Sequence, residues 1–206
     1  LIVATSSDFK VYFWQMNTGK KRSRYNHINI VTNFMYNEQE TLGVSLCHKG
    51  SVSIIDLKKM ERIKYVKNFS VSLWISNTFA FNFQKMMFFG NTNNREKCQI
   101  YHMGRKRLFK MIMNETAVEN FLYVPKFKKY IMANKLGIFI INVDNLKYFR
   151  KFSNMDSFTG GVYALGSCRN GRIVLVGSSN GSLMGYNVEL NRKCFILKQN
   201  GSVFHF

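Results

Sequence analysis

Residues 160–197 read GGVYALGSCRNGRIVLVGSSNGSLMGYNVELNRKCFIL. Within them Val162 to Leu165, Ile173 to Gly177 and Ser182 to Val188 are short apolar runs, separated by the turn Ser167-Cys168-Arg169-Asn170-Gly171-Arg172 and by Ser178-Ser179-Asn180-Gly181. Runs of this length between Asn, Gly and Ser clusters read as strands, and the second break has the chemistry that tight hairpins require. No long window of the chain shows helical spacing, so the chain reads as all-β and is tested next for internal repeats.

Four further stretches align with residues 182–188 (SLMGYNV): 10–16 (KVYFWQM), 51–57 (SVSIIDL), 97–103 (KCQIYHM) and 137–143 (GIFIINV). The second column holds Val11, Val52, Cys98, Ile138 and Leu183, and the fifth holds Trp14, Ile55, Tyr101, Ile141 and Tyr186. The sixth is polar throughout, with Gln15, Asp56, His102, Asn142 and Asn187, and the seventh returns to Met16, Leu57, Met103, Val143 and Val188. Fifth-column residues lie 41, 46, 40 and 45 residues apart, the spacing of four-stranded propeller blades. Each copy follows another strand and a turn: Ser7-Asp8, Lys49-Gly50, Asn93-Asn94-Arg95, Lys135-Leu136-Gly137 and Ser179-Asn180-Gly181.

The last copy resembles the WD-repeat family, with Tyr186-Asn187 where the family has Trp-Asp and Ser167-Cys168-Arg169-Asn170-Gly171-Arg172 in the place of its Ser-Pro-Asp-Gly-Arg turn. The first copy has Trp14-Gln15 and the second Ile55-Asp56 at that dipeptide. The resemblance implies a β-propeller of four-stranded antiparallel blades, about five of them visible. The expected units are a partial blade at 1–26, then 27–68, 69–114, 115–154 and 155–199, with the start of another at 200–206. The chain opens on a second strand and closes on a first, so the two ends either complete one blade and close a five-bladed ring or belong to a longer propeller, and the missing initiator methionine makes part of a longer propeller the expectation. His27, His48 and His102 stand in no Gly-His dipeptide, and no copy keeps the family's full His, Asp, Ser/Thr, Trp hydrogen-bond set. Blade stability is therefore expected to rest on apolar packing, with Phe81, Phe83, Phe88, Phe89, Phe121 and Tyr123 in the core and Trp14 as the first blade's packing residue.

Composition bounds the partner. Thirty Lys and Arg against 11 Asp and Glu give a net charge of +19, a field that attracts polyanions. No run approaches a membrane span. Cys47, Cys98, Cys168 and Cys194 form no CxxC pair and have no His at metal spacing, which reads as isolated core thiols in a reducing, intracellular compartment, nucleolus, nucleus or cytoplasm. Asn-x-Ser/Thr matches such as Asn180-Gly181-Ser182 are expected by chance in so Asn- and Ser-rich a chain.

Chemistry is expected to be absent. The stretch 17–23, NTGKKRS, lacks the spaced glycines of a phosphate loop, no Gly-x-Ser-x-Gly stands before a helix, and His48 and His102 fall in different copies without a carboxylate partner. The expectation is a non-catalytic protein with no cofactor, no metal and no small-molecule substrate.

The cations are distributed with the repeat. The turn and outer strand after each aligned copy are basic, carrying Lys20, Lys21, Arg22 and Arg24; Lys58, Lys59, Arg62 and Lys64; Arg105, Lys106 and Arg107; Arg150 and Lys151; and Arg192 and Lys193. Lys126, Lys128 and Lys129 fall in a first-to-second-strand turn on the same face. Edge strands carry charge to resist aggregation, but mixed charge would serve that purpose, so the single sign points to a polyanion. The expected function is a scaffold for other protein subunits of a large assembly, seated by this face and rim on the RNA phosphate backbone. Residues 175–187 also resemble WD-repeat subunits of the small-subunit processome, which implies ribosome biogenesis. The alternative is a cytoskeletal or ciliary scaffold whose rim meets acidic tubulin tails or other acidic proteins.

Overall fold

In the computed structural model the described residues are 1–37, 39–48, 50–67, 79–91, 97–105, 107–113, 118–134, 137–146, 148–152, 161–168 and 170–203. At Arg107, 109–113, Glu119 and 148–152 only the backbone is described. The chain is all-β. Three strands, β1 (Ile2–Thr5), β2 (Lys10–Trp14) and β3 (Lys21–Asn26), form the first antiparallel sheet in chain order. Four four-stranded sheets follow, each again in chain order. They are β4 (Val31–Tyr36), β5 (Leu42–Cys47), β6 (Val52–Asp56) and β7 (Glu61–Val66); then β8 (Phe79–Asn82), β9 (Met87–Asn91), β10 (Lys97–His102) and β11 (Arg107–Met113). The fourth holds β12 (Val118–Val124), β13 (Lys129–Asn134), β14 (Gly137–Asn142) and β15 (Tyr148–Phe152), and the fifth β16 (Val162–Ser167), β17 (Ile173–Ser178), β18 (Ser182–Asn187) and β19 (Arg192–Lys198).

The aligned copies are β2, β6, β10, β14 and β18, and their columns have a structural meaning. Strand side chains alternate between faces, so columns two and four share one face and columns five and seven the other. Val11 and Phe13 pack with Val31, Ile55 and Leu57, between the first and second sheets. Val52 and Ile54 pack with Phe79, Phe81, Phe88 and Met103, between the second and third. Cys98 and Ile100 pack with Tyr130, Met132, Ile141 and Val143, and Ile138 and Ile140 with Val174, Tyr186 and Val188. In every case columns two and four face the following sheet and columns five and seven the preceding one. One apolar layer therefore lies between each successive pair of sheets, and it carries most of the stabilisation.

The same rule explains two departures. Trp14 is half-buried and Met16 is 72% exposed, although they occupy the fifth and seventh columns. Their face of the first sheet, shared with exposed Ile2, has no sheet packed on it among the described residues, and Trp14 stacks on Tyr12 instead. At the other end Gly185 takes the fourth column, and the ring of Phe195 folds over the space its side chain would fill. Of the expected core thiols Cys47 and Cys98 are buried, whereas Cys168 and Cys194 are exposed, in the β16–β17 turn and on the outer strand β19. Phe81, Phe88, Phe89 and Phe121 are buried as expected, and Phe83 and Tyr123 partly so.

A register shift recurs where each aligned strand meets its outer neighbour: at Phe13/Trp14, Ile54/Ile55, Ile100/Tyr101, Ile140/Ile141 and Gly185/Tyr186. The relation between neighbouring sheets also recurs. Val31 N–H donates to the Ser6 carbonyl, and 172 residues later Val203 N–H donates to the Ser178 carbonyl. Both bonds join the end of a second strand, β1 or β17, to the segment that follows an outer strand.

Candidate polyanion-binding face

The polar sixth column builds the turn that presents the cations. Asp56 Oδ1 accepts the backbone N–H groups of Lys58 and Lys59, each at 2.9 Å; Asn142 Oδ1 accepts that of Asp144; and Asn187 Oδ1 accepts those of Glu189 and Leu190. His102 Nδ1 accepts Arg105 N–H at 3.2 Å. Such side chains mimic a backbone turn and end the strand. Four residues after the sixth column the chain turns left-handed at Gly19, Met60, Leu146 and Asn191. Lys58 and Lys59 are thus held outward by a carboxylate whose lone pairs face the backbone. The Lys59 N–H foremost keeps that carboxyl below its ordinary range.

In an antiparallel meander the first-to-second and third-to-fourth connections leave each sheet at the same end. Contacts between sheets bring these ends onto one face. A Cβ at Gly171, in the β16–β17 turn, would lie 3.0 Å from Val124, at the β12–β13 turn. A cleft of about 690 Å³ is lined by Lys85 and Met86 of the β8–β9 turn, Gly104 and Arg105 of the β10–β11 turn, and Asp144 to Leu146 of the β14–β15 turn. A second, of about 430 Å³, joins Gln84, Pro125 and Lys126 to Ser167, Asn170 and Gly171.

The candidate cations divide by what they touch. Lys20, Lys21, Arg22, Arg24, Lys58, Lys59, Arg105, Lys126, Arg192 and Lys193 are exposed, with the Lys21 ammonium 4.5 Å over the Tyr12 ring and Lys126 near Phe127. Others tie sheet to sheet. Arg62 donates to the Asn26 carbonyl at 2.9 Å and lies over Tyr65, and Lys64 donates to the Gly104 carbonyl at 3.4 Å. Lys85, not among the candidates, pairs with Asp144 at 2.6 Å, and Lys129 donates to the Val188 carbonyl at 2.7 Å and Asn191 Oδ1 at 3.2 Å. Among the described residues each successive pair of sheets is thus bridged by a Lys or Arg, three of the four reaching main-chain carbonyls. A cation can serve there and a carboxylate cannot, which accounts for part of the excess of positive charge. Lys128 reaches Asp144 at 3.5 Å and Arg172 reaches Glu189 at 3.3 Å, so acids punctuate the face around the fourth and fifth sheets. Lys106 lies outside the described residues, and of Arg107, Arg150 and Lys151 only the backbone is described.

The first two sheets carry exposed cations on β3, on the turn before it and on the β6–β7 turn. The Tyr25 hydroxyl donates to the Met60 carbonyl and Arg62 reaches Asn26, so β3 lies against the β6–β7 turn. Lys21 and Arg24 stand opposite Trp14 and Tyr12, with Lys21 over the Tyr12 ring, so they share the face of β3 turned away from the second sheet, whereas Lys58 and Lys59 stand on the β6–β7 turn.

Sequence reasoning passed over His27. The imidazole is 7% exposed, with Nδ1 2.9 Å from Ser51 Oγ and Nε2 2.7 Å from Ser45 Oγ. Burial first, then the Arg62 charge, lower its pKa to about 4, so the ring is neutral at pH 7. It ties the segment before β4 to β5 and to the residue preceding β6. Without a Gly-His dipeptide the sequence carried no local signal for this role. Among the described residues no group of three or more His, Cys, Asp or Glu is placed to hold a metal ion, and no helix is long and apolar enough to cross a membrane. No family model matches the chain, and no curated protein matches it.

Proposed function

We propose that the chain is a WD-repeat-like β-propeller scaffold that meets other subunits of a large assembly and seats on the phosphate backbone of RNA, in a ribonucleoprotein or ribosome-biogenesis complex. The observation that carries the polyanion part is the exposure of Lys20, Lys21, Arg22 and Arg24, on β3 and the turn before it, and of Lys58 and Lys59, on the β6–β7 turn. The propeller part is supported by the repeated chain-order sheets, the bulge at one column in all five copies and the apolar layer between each successive pair. The tie of His27 to Ser45 and Ser51 is of the His to Ser/Thr kind that the WD-repeat resemblance implies. Ammonium and guanidinium groups on turns make phosphate contacts without reading bases.

The test is purification of the native assembly with and without exhaustive ribonuclease treatment. Loss of the chain from the assembly on digestion supports the proposal. Retention after complete digestion, with binding to microtubules, would replace it with the acidic-protein reading.

A further inference from the structure

We infer that Asn200 is a site of spontaneous covalent modification, at which the Gly201 nitrogen attacks the asparagine side chain and leaves aspartate or isoaspartate. The reaction needs only water, so it stands apart from RNA binding.

The chain has three Asn-Gly pairs, Asn170-Gly171, Asn180-Gly181 and Asn200-Gly201. A glycine nitrogen carries no neighbouring side chain to shield it, so this dipeptide closes most readily to a five-membered imide. In the first two pairs both reacting groups are engaged. Gly171 N–H donates to the Cys168 carbonyl at 2.7 Å, and Gly181 N–H to the Ser178 carbonyl at 3.3 Å. Asn170 Oδ1 accepts Arg172 N–H at 3.0 Å, and Asn180 Oδ1 accepts Ser182 N–H at 3.0 Å and the Ser178 hydroxyl. Gly171 also packs against Val124, and Gly181 against the Gln199 carbonyl. The third pair is held by neither group. Asn200 and Gly201 are exposed, and among the described residues the Gly201 N–H and the Asn200 side chain have no hydrogen-bond partner. Nothing lies within 4 Å of the point where a Cβ at Gly201 would stand, so the ring has room to form.

This exposure belongs to the joint between sheets. Gln199 N–H donates to the Gly181 carbonyl as His27 N–H does to that of Phe9, and Val203 N–H to the Ser178 carbonyl as Val31 N–H does to that of Ser6. Asn200 therefore corresponds to Ile28, which is 40% exposed with the second sheet in place behind it.

The Gly201 nitrogen gives up its proton to water and bonds to Asn200 Cγ, while the Cγ–Nδ2 bond breaks and Nδ2 leaves as ammonia. Water then opens the imide. Cleavage between the nitrogen and Cγ gives aspartate, and cleavage between the nitrogen and the main-chain carbonyl carbon gives isoaspartate. Either product adds a carboxylate, and isoaspartate adds a main-chain methylene between the Gln199 and Val203 ties.

The test incubates the full-length chain at physiological pH and temperature, folded and in urea, and follows each Asn-Gly pair by peptide mapping, which reads the exchange of NH2 for OH and the isoaspartate form. Asn200 should react in the folded chain within about threefold of its rate in urea, whereas Asn170 and Asn180 should slow at least about tenfold, because two hydrogen bonds must open first. Asn200→Gln should abolish the folded-state product. Equal slowing of all three pairs on folding would overturn the inference. So would folded Asn170 or Asn180 reacting as fast as Asn200, or aspartate without isoaspartate at position 200.

Discussion

Acidification should destabilise the fold through His27 in particular. The buried imidazole titrates at about 4 in the folded chain, against about 6.5 when unfolded. Its folded value is depressed, so the folded state binds fewer protons between these limits, and stability is present above pH 6.5 and lost as the pH falls toward 4. Linkage gives a loss of about 2 kcal/mol between pH 8 and pH 5 and of about 3 kcal/mol by pH 3 from this one group. Urea denaturation of the wild-type chain and of His27→Gln at half-unit pH steps isolates the effect, because every other histidine and carboxylate is common to both. Glutamine still donates and accepts toward Ser45 and Ser51 but does not titrate. The difference between the two stabilities should therefore shrink by about 2 kcal/mol from pH 8 to pH 5. Arg62→Gln, which removes the neighbouring charge, should move the inflection upward. Parallel pH profiles for wild type and His27→Gln would refute the assignment of His27 as a buried neutral tie.

Two further substitutions probe the turns and the cationic ties. Gly181→Ala should cost well over 1 kcal/mol, because φ is +80° and the new Cβ would clash with the Gln199 carbonyl oxygen; Gly19→Ala, at φ +65° with open space around it, should cost about 1 kcal/mol, both read by urea denaturation. Lys129→Met removes the donor to the Val188 carbonyl and Asn191, and should cost about 1–2 kcal/mol with faster amide exchange at the β18–β19 turn, whereas Lys58→Met, on an exposed turn, should stay within about 0.5 kcal/mol of wild type.

Strand positions were legible because the aligned copies carry their own period. Residues 10–16, 51–57, 97–103, 137–143 and 182–188 each contain an observed third-type strand, and columns two and five mark opposite faces. The polar sixth column was visible as a pattern, but its use was not. That Asp56 and Asn187 accept from backbone groups two and three residues on could not be read from the column, and a methionine at position 60 gave no sign of the left-handed residue that follows. In the first copy the left-handed residue of the β1–β2 hairpin is Phe9, one past the expected Ser7-Asp8. For the site, the sequence marks which segments are basic but not what each cation touches. Lys129 and Arg62 look like Lys58 in one dimension, and only the approach of a neighbouring sheet turns them into ties. His27 illustrates the same limit, since its partners Ser45 and Ser51 are 18 and 24 residues away.

The polyanion claim is tested most directly by the salt dependence of binding to labelled oligouridylate. If the exposed Lys20, Lys21, Arg22, Arg24, Lys58 and Lys59 make six phosphate contacts, log K should fall against log salt with a slope of about −4, from roughly 0.7 per contact on a single strand. The double substitution Lys58→Gln, Lys59→Gln should reduce that slope by about 1.4, with little change between base compositions. A slope near zero, or one that neutralising these lysines leaves unchanged, would contradict the account.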